Sequence, residues 1–473
     1  MAGFKQLIHT ISSGIPEIRK PLKKTSLNEK LIWTAIALVL YLVMAQTPLF
    51  GIDPTVEDQL ASLRVIFASA SGTLMELGIG PIVTAGLIMQ LLKGADIIKV
   101  DMRNPDDRAF FMSATKLLTL IVIVVEAAVF IAAGRFGANL SFSVVGVIFT
   151  QLFVAGLIVM LLDELIQKGW GIGSGLSLFI LAGVTQQILW SIFSILPAGD
   201  GPIGIIPYII EAGFQNRIMD ALFRTGQLPS IFALALTIIV IVVIIYIEGM
   251  RVEIPITSTR YRGFAGVYPI KLLYTSVIPI ILVSALMANI TVTSNFLWSA
   301  YNRLGDNPFL NWLAVFDPNA PSTPIGGLVY WITPPAGIEG VANEPFRAIV
   351  YVLFFIMLSI MFGRLWVDVG GLGAKQVAKN LLDADVQIPG FRRSDSSVET
   401  ILNRYIPPVT VISGAFLGLL ASTSNLLGVF GSGIGILLMC DIIINYYQLL
   451  TREHIEENMP MVAGLMGAGS KSK

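Results

Sequence analysis

Residues 51–94 read GIDPTVEDQLASLRVIFASASGTLMELGIGPIVTAGLIMQLLKG, a hydrophobic stretch that polar residues interrupt. Its first part opens with Asp53 and Pro54, which together are typical of a helix start. Charged residues follow, so we do not expect this part to lie in lipid. One helical face carries four apolar residues, and these are Val56, Leu60, Leu63 and Phe67.

The two parts of this stretch differ in how far they can reach. About sixteen residues of the first part extend only about 24 Å, which is short of a hydrocarbon core of about 30 Å. The second part, LGIGPIVTAGLIMQLL (77–92), is apolar, and we expect it to be long enough to cross. Irregular backbone at membrane depth persists only where protein or a water-filled cavity satisfies it. The broken segment therefore indicates a pore or a binding site.

The composition predicts a polytopic membrane protein. Hydrophobic residues make up 55% of the 473 residues and charged residues 13%, far from the soluble average of about a quarter charged. The net charge is zero, so it indicates no partner. The single Cys440 excludes an intramolecular disulfide, and two histidines supply no metal-ligand spacing.

Hydrophobic runs predict an all-α protein with ten membrane spans of about twenty residues each. They are 30–50, 74–93, 115–134, 141–162, 172–193, 230–248, 270–291, 347–366, 406–427 and 434–451. We expect two halves of five spans, at 30–193 and 230–451, joined by an external loop at 194–229. The remaining parts should be cytosolic, namely the amphipathic segment 1–29, the loops 249–271 and 364–405, and the tail 452–473.

Positive charge predicts the orientation. If the N-terminus is cytosolic, 25 of the 31 Lys and Arg residues lie on that side of the membrane. Lys and Arg gather in cytoplasmic loops, so both termini should be cytosolic.

The two halves share a faint sequence echo. Span five begins GIGSGLSLF (171–179) and span ten begins GSGIGILL (431–438), one entering from the cytosol and the other from outside. This arrangement is typical of inverted repeats. Glycines are also common at membrane helix ends, so the echo alone leaves both interpretations open.

Two cytosolic loops are too long for simple connectors. The stretch RVEIPITSTRYRGFAGVYPIK (251–271) predicts a hairpin with Arg260 and Arg262 near its tip. In the other loop, AKQVAKNLLDADVQ looks helical and precedes Arg392 and Arg393. Both loops could be solvated positive-inside loops, or their paired arginines could dock on phosphate or on an acidic protein surface.

A few polar residues lie inside the spans. Glu126 in span three and Asp441 in span ten are functional candidates by default, although each could be a hydrogen-bonded structural residue. We expect Thr84 and Asn289 to make contacts between helices. The sequence contains no nucleophile elbow, Walker loop or HExxH motif, so we expect neither an enzyme nor a cofactor.

Several motifs together resemble one family. They are LGIGPIVTAGLIMQLL, WGIGSGLSLFI (170–180), YPIKLLYTSVIPIILVSALMANI (268–290), GFRRSDSSVETILNRYIPPVTVISGAFLGLLA (390–421) and GSGIGILL. They resemble the SecY family, the central alpha subunit of the protein-conducting translocon, in its archaeal form. The resemblance covers essentially the whole chain and implies a plug, a hydrophobic constriction and a lateral gate.

The resemblance implies a role for each candidate residue. It makes 53–69 the plug and Thr84, Glu126 and Asn289 the polar contacts of a lateral gate between spans two and three and spans seven and eight. It assigns ribosome docking to four arginines, Arg260, Arg262, Arg392 and Arg393. The implied constriction is a ring of six aliphatic residues, Ile79, Val83, Ile172, Leu176, Ile281 and Leu438. Asp441 departs from the small or apolar residue that we expect there.

The function implied is a passive channel in the cell membrane that passes secretory polypeptides outward and releases transmembrane segments into lipid. Implied partners are a SecE-like subunit, a SecG- or beta-like subunit, the ribosome, signal sequences and nascent chains. The alternatives are a secondary transporter with inverted repeats and a membrane-anchored scaffold. A transporter would place carboxylates at the midplane, where the resemblance implies Ile, Val and Leu.

Overall fold

The computed structural model describes most of the chain. The described residues are 14–23, 25–51, 68–94, 97–98, 100, 104–132, 136–137, 141–198, 201–215, 217–224, 228–258, 265–275, 277–301, 307–317, 323–335, 337–383, 386–387, 389 and 395–458.

Each of the ten predicted spans corresponds to a helix. Spans one to ten are Leu27–Gln46, Gly80–Gly94, Pro105–Ala132, Phe142–Leu165, Gly175–Phe193, Ile231–Glu248, Ile278–Tyr301, Pro345–Val369, Asp395–Leu426 and Gly433–Asn458. Shorter α-helices are Ile205–Phe214, Pro308–Leu313, Gly327–Ile332, Gly337–Asn343 and Ala374–Asp383, with a π-helix at Ile166–Trp170 and a 3₁₀ helix at Ile218–Ala221.

Span two corrects one expectation. Among the described residues, nine helices are long and apolar enough to cross a membrane, and the helix of span two is not one of them. It has 15 residues, not the whole of 77–92, and reaches only about 22 Å. Gly78 adopts a φ of +56°, outside helical geometry, so the helix begins only after it. The second part of the broken segment is therefore also too short to span by itself.

Short strands occupy the loops. They are β1 (Pro197–Ala198), β2 (Gly201–Pro202), β3 (Arg251–Ser258), β4 (Ala265–Lys271), β5 (Val315–Phe316), β6 (Pro324–Gly326) and β7 (Val386–Gln387). The antiparallel pair of β3 and β4 confirms the predicted hairpin. The prediction that 374–387 is helical was wrong at its end, because β7 pairs with β3.

The core is continuous across the spans. Its largest hydrophobic cluster takes buried residues from every span except span three. Span three packs on span four in a second cluster, where Ile123 and Ala127 meet Ile148 and Leu152. The first three spans therefore depend on packing against later ones.

The halves share a hydrogen-bonding device. Thr34 in span one accepts the N–H of Ile172, just before span five, at 3.0 Å. Thr237 in span six accepts the N–H of Phe430, just before span ten, at 3.1 Å. Each hydroxyl also donates to the carbonyl four residues earlier in its own helix. The first span of each half thus holds the turn before the last span, which favours the inverted-repeat interpretation.

Candidate functional site

The non-helical approach to span two is satisfied by protein groups. Tyr41 in span one donates to the Ala68 carbonyl at 3.0 Å. The carboxylate of Glu76, which is 3% exposed, accepts the Gly72 N–H. The N–H of Leu74 donates to the Thr47 carbonyl at 3.0 Å. Irregular backbone is stable in a membrane where protein supplies such partners.

A chain of polar contacts joins three spans. Asn289 in span seven donates from Nδ2 to Oγ1 of Thr84 in span two at 3.1 Å. Thr84 donates in turn to Oε1 of Glu126 in span three at 3.2 Å. The structure therefore brings together Thr84 and Asn289, for which the sequence predicted contacts between helices, and Glu126, which the resemblance placed with them. The chain ties spans two and three to span seven.

Lys93 makes a second contact between the two halves, from span two to span eight. Its Nζ donates to the carbonyl of Val369, the last residue of span eight, at 2.7 Å. A cation at the C-terminus of a helix is favourable because the last carbonyls carry partial negative charge. Next to it, a Cβ added to Gly94 would lie 3.1 Å from Cδ1 of Leu365. Spans two and eight therefore meet closely at the end of both helices.

The six aliphatic candidates lie inside the helical assembly. Ile79, Leu438 and Ile172 are at most 5% exposed. Val83, Leu176 and Ile281 are partly buried and pack against the largest hydrophobic cluster, which also contains Ile79 and Leu438. The candidates come from both halves and from four different spans or their approaches.

Comparison with known families decides the relationship. Residues 73–447 match the family model described as SecY. The chain belongs to the SecY family. The protein translocase subunit SecY of Pyrococcus furiosus is 41% identical, with 98% of this chain and 100% of that protein covered. The Sec61 subunit alpha of Dictyostelium discoideum is 40% identical, with 96% and 97% covered.

Solved structures agree with the family assignment. One described as the structure of a protein-conducting channel matches with a TM-score of 0.81 at 37% identity, covering 96% of this chain and 98% of that chain. Sec61 in the canine ribosome-channel complex matches with a TM-score of 0.79 at 36% identity, covering 96% and 98%. This chain therefore has the polytopic helical membrane fold of the SecY family.

Several predicted sites of this SecY-family chain lie outside the described residues. They are the plug residues Asp53, Val56, Leu60, Leu63 and Phe67 and the four arginines Arg260, Arg262, Arg392 and Arg393. A family model described as the plug domain of Sec61p matches residues 39–72, which include the whole of the predicted plug segment 53–69. The pairing of Ser258 with Val386 brings the described parts of the two cytosolic loops side by side.

Asp441 is buried in span ten and does not face lipid. The residue is 8% exposed, and its Oδ2 accepts a hydrogen bond from Nδ2 of Asn445 at 2.9 Å. One helical turn separates the two residues, so this is a contact within span ten.

Sequence reasoning missed three polar residues beside these sites, Glu76, Lys93 and Asp163. Glu76 and Asp163 are 3% and 7% exposed, and both accept backbone N–H groups. Backbone partners leave no pattern of side chains in the sequence. Lys93 was counted only as a cytosolic positive charge, although a lysine in the last turn of a helix is a signal for a contact with carbonyls.

Proposed function

We propose that this protein is the central pore-forming subunit of a protein translocation channel. It passes secretory polypeptides across the membrane and releases transmembrane segments sideways into lipid. The observation that carries this proposal is the hydrogen-bonded chain from Asn289 through Thr84 to Glu126. It crosses the boundary at which a SecY-family channel would open laterally.

The hydrogen bonds that join Asn289, Thr84 and Glu126 are weak enough for a hydrophobic segment to displace. Polar contacts between membrane helices average about 0.6 kcal/mol each. One leucine in an inserting helix contributes about 0.3 to 0.6 kcal/mol on an insertion scale. A few apolar residues of an arriving signal segment are therefore enough to offset the contacts at Thr84 and Asn289. A less apolar segment leaves the gate closed.

The six aliphatic residues form the constriction in this proposal. Branched apolar side chains repel water and ions, and a hydrophobic constriction can gate by dewetting. Such side chains make no directional bonds with one another, so they can deform around a passing polypeptide and close again. A transporter site at the same place would need converging polar groups to hold a solute.

The plug and the small partners complete the proposed channel. The segment 53–69 closes the resting pore and is displaced when a signal segment enters the gate. A SecE-like subunit holds the two halves, and a SecG- or beta-like subunit completes the complex in the cell membrane. Both termini are cytosolic, which agrees with 25 of 31 Lys and Arg residues on that side.

The ribosome is the proposed source of nascent chains. It docks on the cytosolic loops that carry Arg260 and Arg262 and Arg392 and Arg393. Two observations support this assignment. Solved relatives include Sec61 in a canine ribosome-channel complex and yeast Ssh1 bound to the yeast ribosome. The strands β3 and β7 also join the described parts of both loops into one sheet.

A crosslinking experiment tests the function. The full chain, reconstituted with its partner subunits, carries a photoreactive residue at Ile281 and receives a stalled secretory nascent chain. We expect a crosslink from Ile281 to the hydrophilic part of the nascent chain. The matched control is Ile239 in span six, which is 56% exposed on the outer surface of the helices and should not crosslink. A bound nascent chain that crosslinks equally at both positions, or at neither, would overturn the proposal.

A further inference from the structure

The turn before span five is held by side chains from three other spans. Residues 171–174 lie between the π-helix Ile166–Trp170 and span five and are not helical. Their backbone N–H and C=O groups therefore need partners outside a helix. On the basis of the channel function above, we propose that Thr34, Asp163 and Tyr446 are positioning residues that hold the proposed pore residues Ile172 and Leu176 in place.

The contacts fall directly on the backbone of the proposed pore residues. Thr34 Oγ1 accepts the N–H of Ile172 at 3.0 Å. Tyr446 donates its hydroxyl to the Ile172 carbonyl at 3.0 Å. Asp163 Oδ1 accepts the N–H of Leu176 at 3.0 Å. Both residues on the span-five side of the constriction are thus fixed through their peptide groups.

Tyr446 also binds the residue between them. Its oxygen accepts the Ser174 N–H at 3.1 Å and lies 2.9 Å from the Ser174 carbonyl. A phenol has one proton to donate, so the carbonyls of Ile172 and Ser174 share it. One side chain of span ten therefore serves three backbone groups of the turn.

The glycines of the G-I-G-S-G motif provide the space for these side chains. A Cβ on Gly171 would lie 3.0 Å from Thr34 Oγ1, and one on Gly173 would lie 2.6 Å from the Tyr446 oxygen. A Cβ on Gly175 would lie 2.7 Å from Cα of Asp163. Each glycine thus faces one of the three positioning residues. The spacing of the motif follows from three approaches too close for a side chain.

The three residues differ in which half of the protein they belong to. Thr34 and Asp163 are in the first half, together with the turn. Tyr446 is in span ten of the second half, eight residues or about 12 Å beyond the proposed pore residue Leu438. When the halves separate, the bonds of Thr34 and Asp163 can persist, whereas those of Tyr446 must break. Tyr446 therefore resists opening and aligns the pore residues of span five with the pore residue of span ten.

Resting conductance tests this role without depending on stability. The full chain with its partner subunits is measured in planar bilayers as wild type, Tyr446→Phe and the control Tyr447→Phe. Tyr446→Phe keeps the ring and loses the three bonds, and we expect about a tenfold rise in the fraction of channels that conduct at rest, equivalent to about 1.4 kcal/mol. Tyr447 is 71% exposed, and Tyr447→Phe should match wild type.

A pair of variants at Asp163 keeps the test valid if the phenylalanine variant folds poorly. Asp163→Asn retains an oxygen that can accept the Leu176 N–H, whereas Asp163→Leu does not. We expect raised conductance for Asp163→Leu and near wild-type conductance for Asp163→Asn. Variants that lose thermal stability but conduct like wild type would overturn the positioning role. That result would leave the channel function intact, because wild-type crosslinking to a nascent chain tests the function separately.

Discussion

The turns before spans five and ten carry the same threonine hydrogen bond but are otherwise held differently. The first turn receives side chains from spans one, four and ten. The second turn is hydrogen-bonded to residues of its own half, and its contact with the first half is apolar, since a Cβ on Gly431 would lie 2.9 Å from Cγ1 of Ile188 in span five. The N–H of Ser432 donates to the Val429 carbonyl at 3.2 Å, and Oγ of Ser432 accepts the N–H of Gly435 at 3.1 Å.

The surroundings of the two turns also differ in polarity. Phe430 in the second turn is buried in an apolar cluster with Ile205 and Ala233. The approach to the first turn is covered by polar contacts of the N-terminal segment, in which Trp170 Nε1 donates to the Arg19 carbonyl at 2.8 Å. Motion of one half against the other therefore breaks hydrogen bonds of the first turn, whereas at the second turn it disturbs apolar contacts with span five.

The largest expected effect is at the second turn. A Cβ on Gly433 would lie 2.3 Å from Cβ of Ser424 and 2.7 Å from the carbonyl oxygen of Ala421, both in span nine. Gly433→Ala should lower the free energy of unfolding by about 2 to 3 kcal/mol, because overpacked helices must move apart. Denaturant unfolding of the purified protein in mixed micelles measures this loss.

Gly146→Ala is the matched control for this substitution. An added Cβ there meets no atom within 4 Å in the part of the chain that the structure describes. Alanine also favours a helix over glycine by about 0.5 to 1 kcal/mol. Equal unfolding free energies for the two alanine variants would mean that span ten is not packed tightly on span nine, and the second turn would not be the fixed one.

A smaller effect should separate the two threonines. Thr34→Val and Thr237→Val each keep the side-chain shape and remove the acceptor of one buried N–H. Each should cost about 1 kcal/mol of stability. Only Thr34→Val should also raise resting conductance. The first turn carries the proposed pore residue Ile172 and is bound by Tyr446 of the other half, whereas the second turn carries none of the six aliphatic candidates.

Serine variants are the controls for this pair. Thr34→Ser and Thr237→Ser keep the hydroxyl and should restore most of the stability. If Thr237→Val raised resting conductance as much as Thr34→Val does, the two turns would not differ in their effect on the pore.

The gate contact should have a still smaller effect. Asn289→Ala removes the bond to Thr84 across the boundary between the halves, worth about 0.6 kcal/mol. A signal segment should then open the gate with about one or two fewer Ala-to-Leu steps. Integration of a graded series of model segments measures this threshold.

Thr291→Ala is the control on the same span. The hydroxyl of Thr291 donates at 2.9 Å to the carbonyl of Met287 within span seven. Its loss should leave the threshold unchanged. An identical threshold for Asn289→Ala and wild type would rule out the lateral gate at this position.

The sequence predicted the features that arise from side-chain polarity. Ten apolar runs predicted ten helices, and Thr84, Glu126 and Asn289 were singled out because polar residues are rare inside spans. The start of span two was wrong because LGI at 77–79 is apolar, and the backbone angle of Gly78 has no signature in composition.

The first turn shows where sequence reasoning ended. Its glycine motif was interpreted as an echo of span ten and as part of the family resemblance, but not as the space for side chains that hold the turn. Asp163 and Tyr446 bind backbone groups that are 13 and more than 200 residues away in the chain. Every residue offers the same backbone groups, so no residue pattern identifies such partners.

The smallest effect should be at the polar cover of the first turn. Glu17 accepts a hydrogen bond from Lys168, just before this turn. This bond holds the pKa of Glu17 below its usual value of 4.5, although burial opposes it. The ionised form of Glu17 stabilises the contact with Lys168. The stabilisation by this contact is therefore complete above the usual pKa of Glu17 and is lost as the pH falls through the lowered pKa.

A spin label reports on this contact. Attached at Leu22→Cys in a Cys440→Ala background, it should be more mobile at a pH below the lowered pKa of Glu17 than at a pH of about 7. The change should correspond to about 0.5 kcal/mol or less, because the Glu17 side chain is 64% exposed and water screens the pair. In Glu17→Gln the mobility should be high at both pH values. A label at Phe214→Cys, on the helix whose Ile205 covers the second turn, should not respond because that cover is apolar. If both labels responded alike, the two covers would not differ in polarity as the contacts indicate.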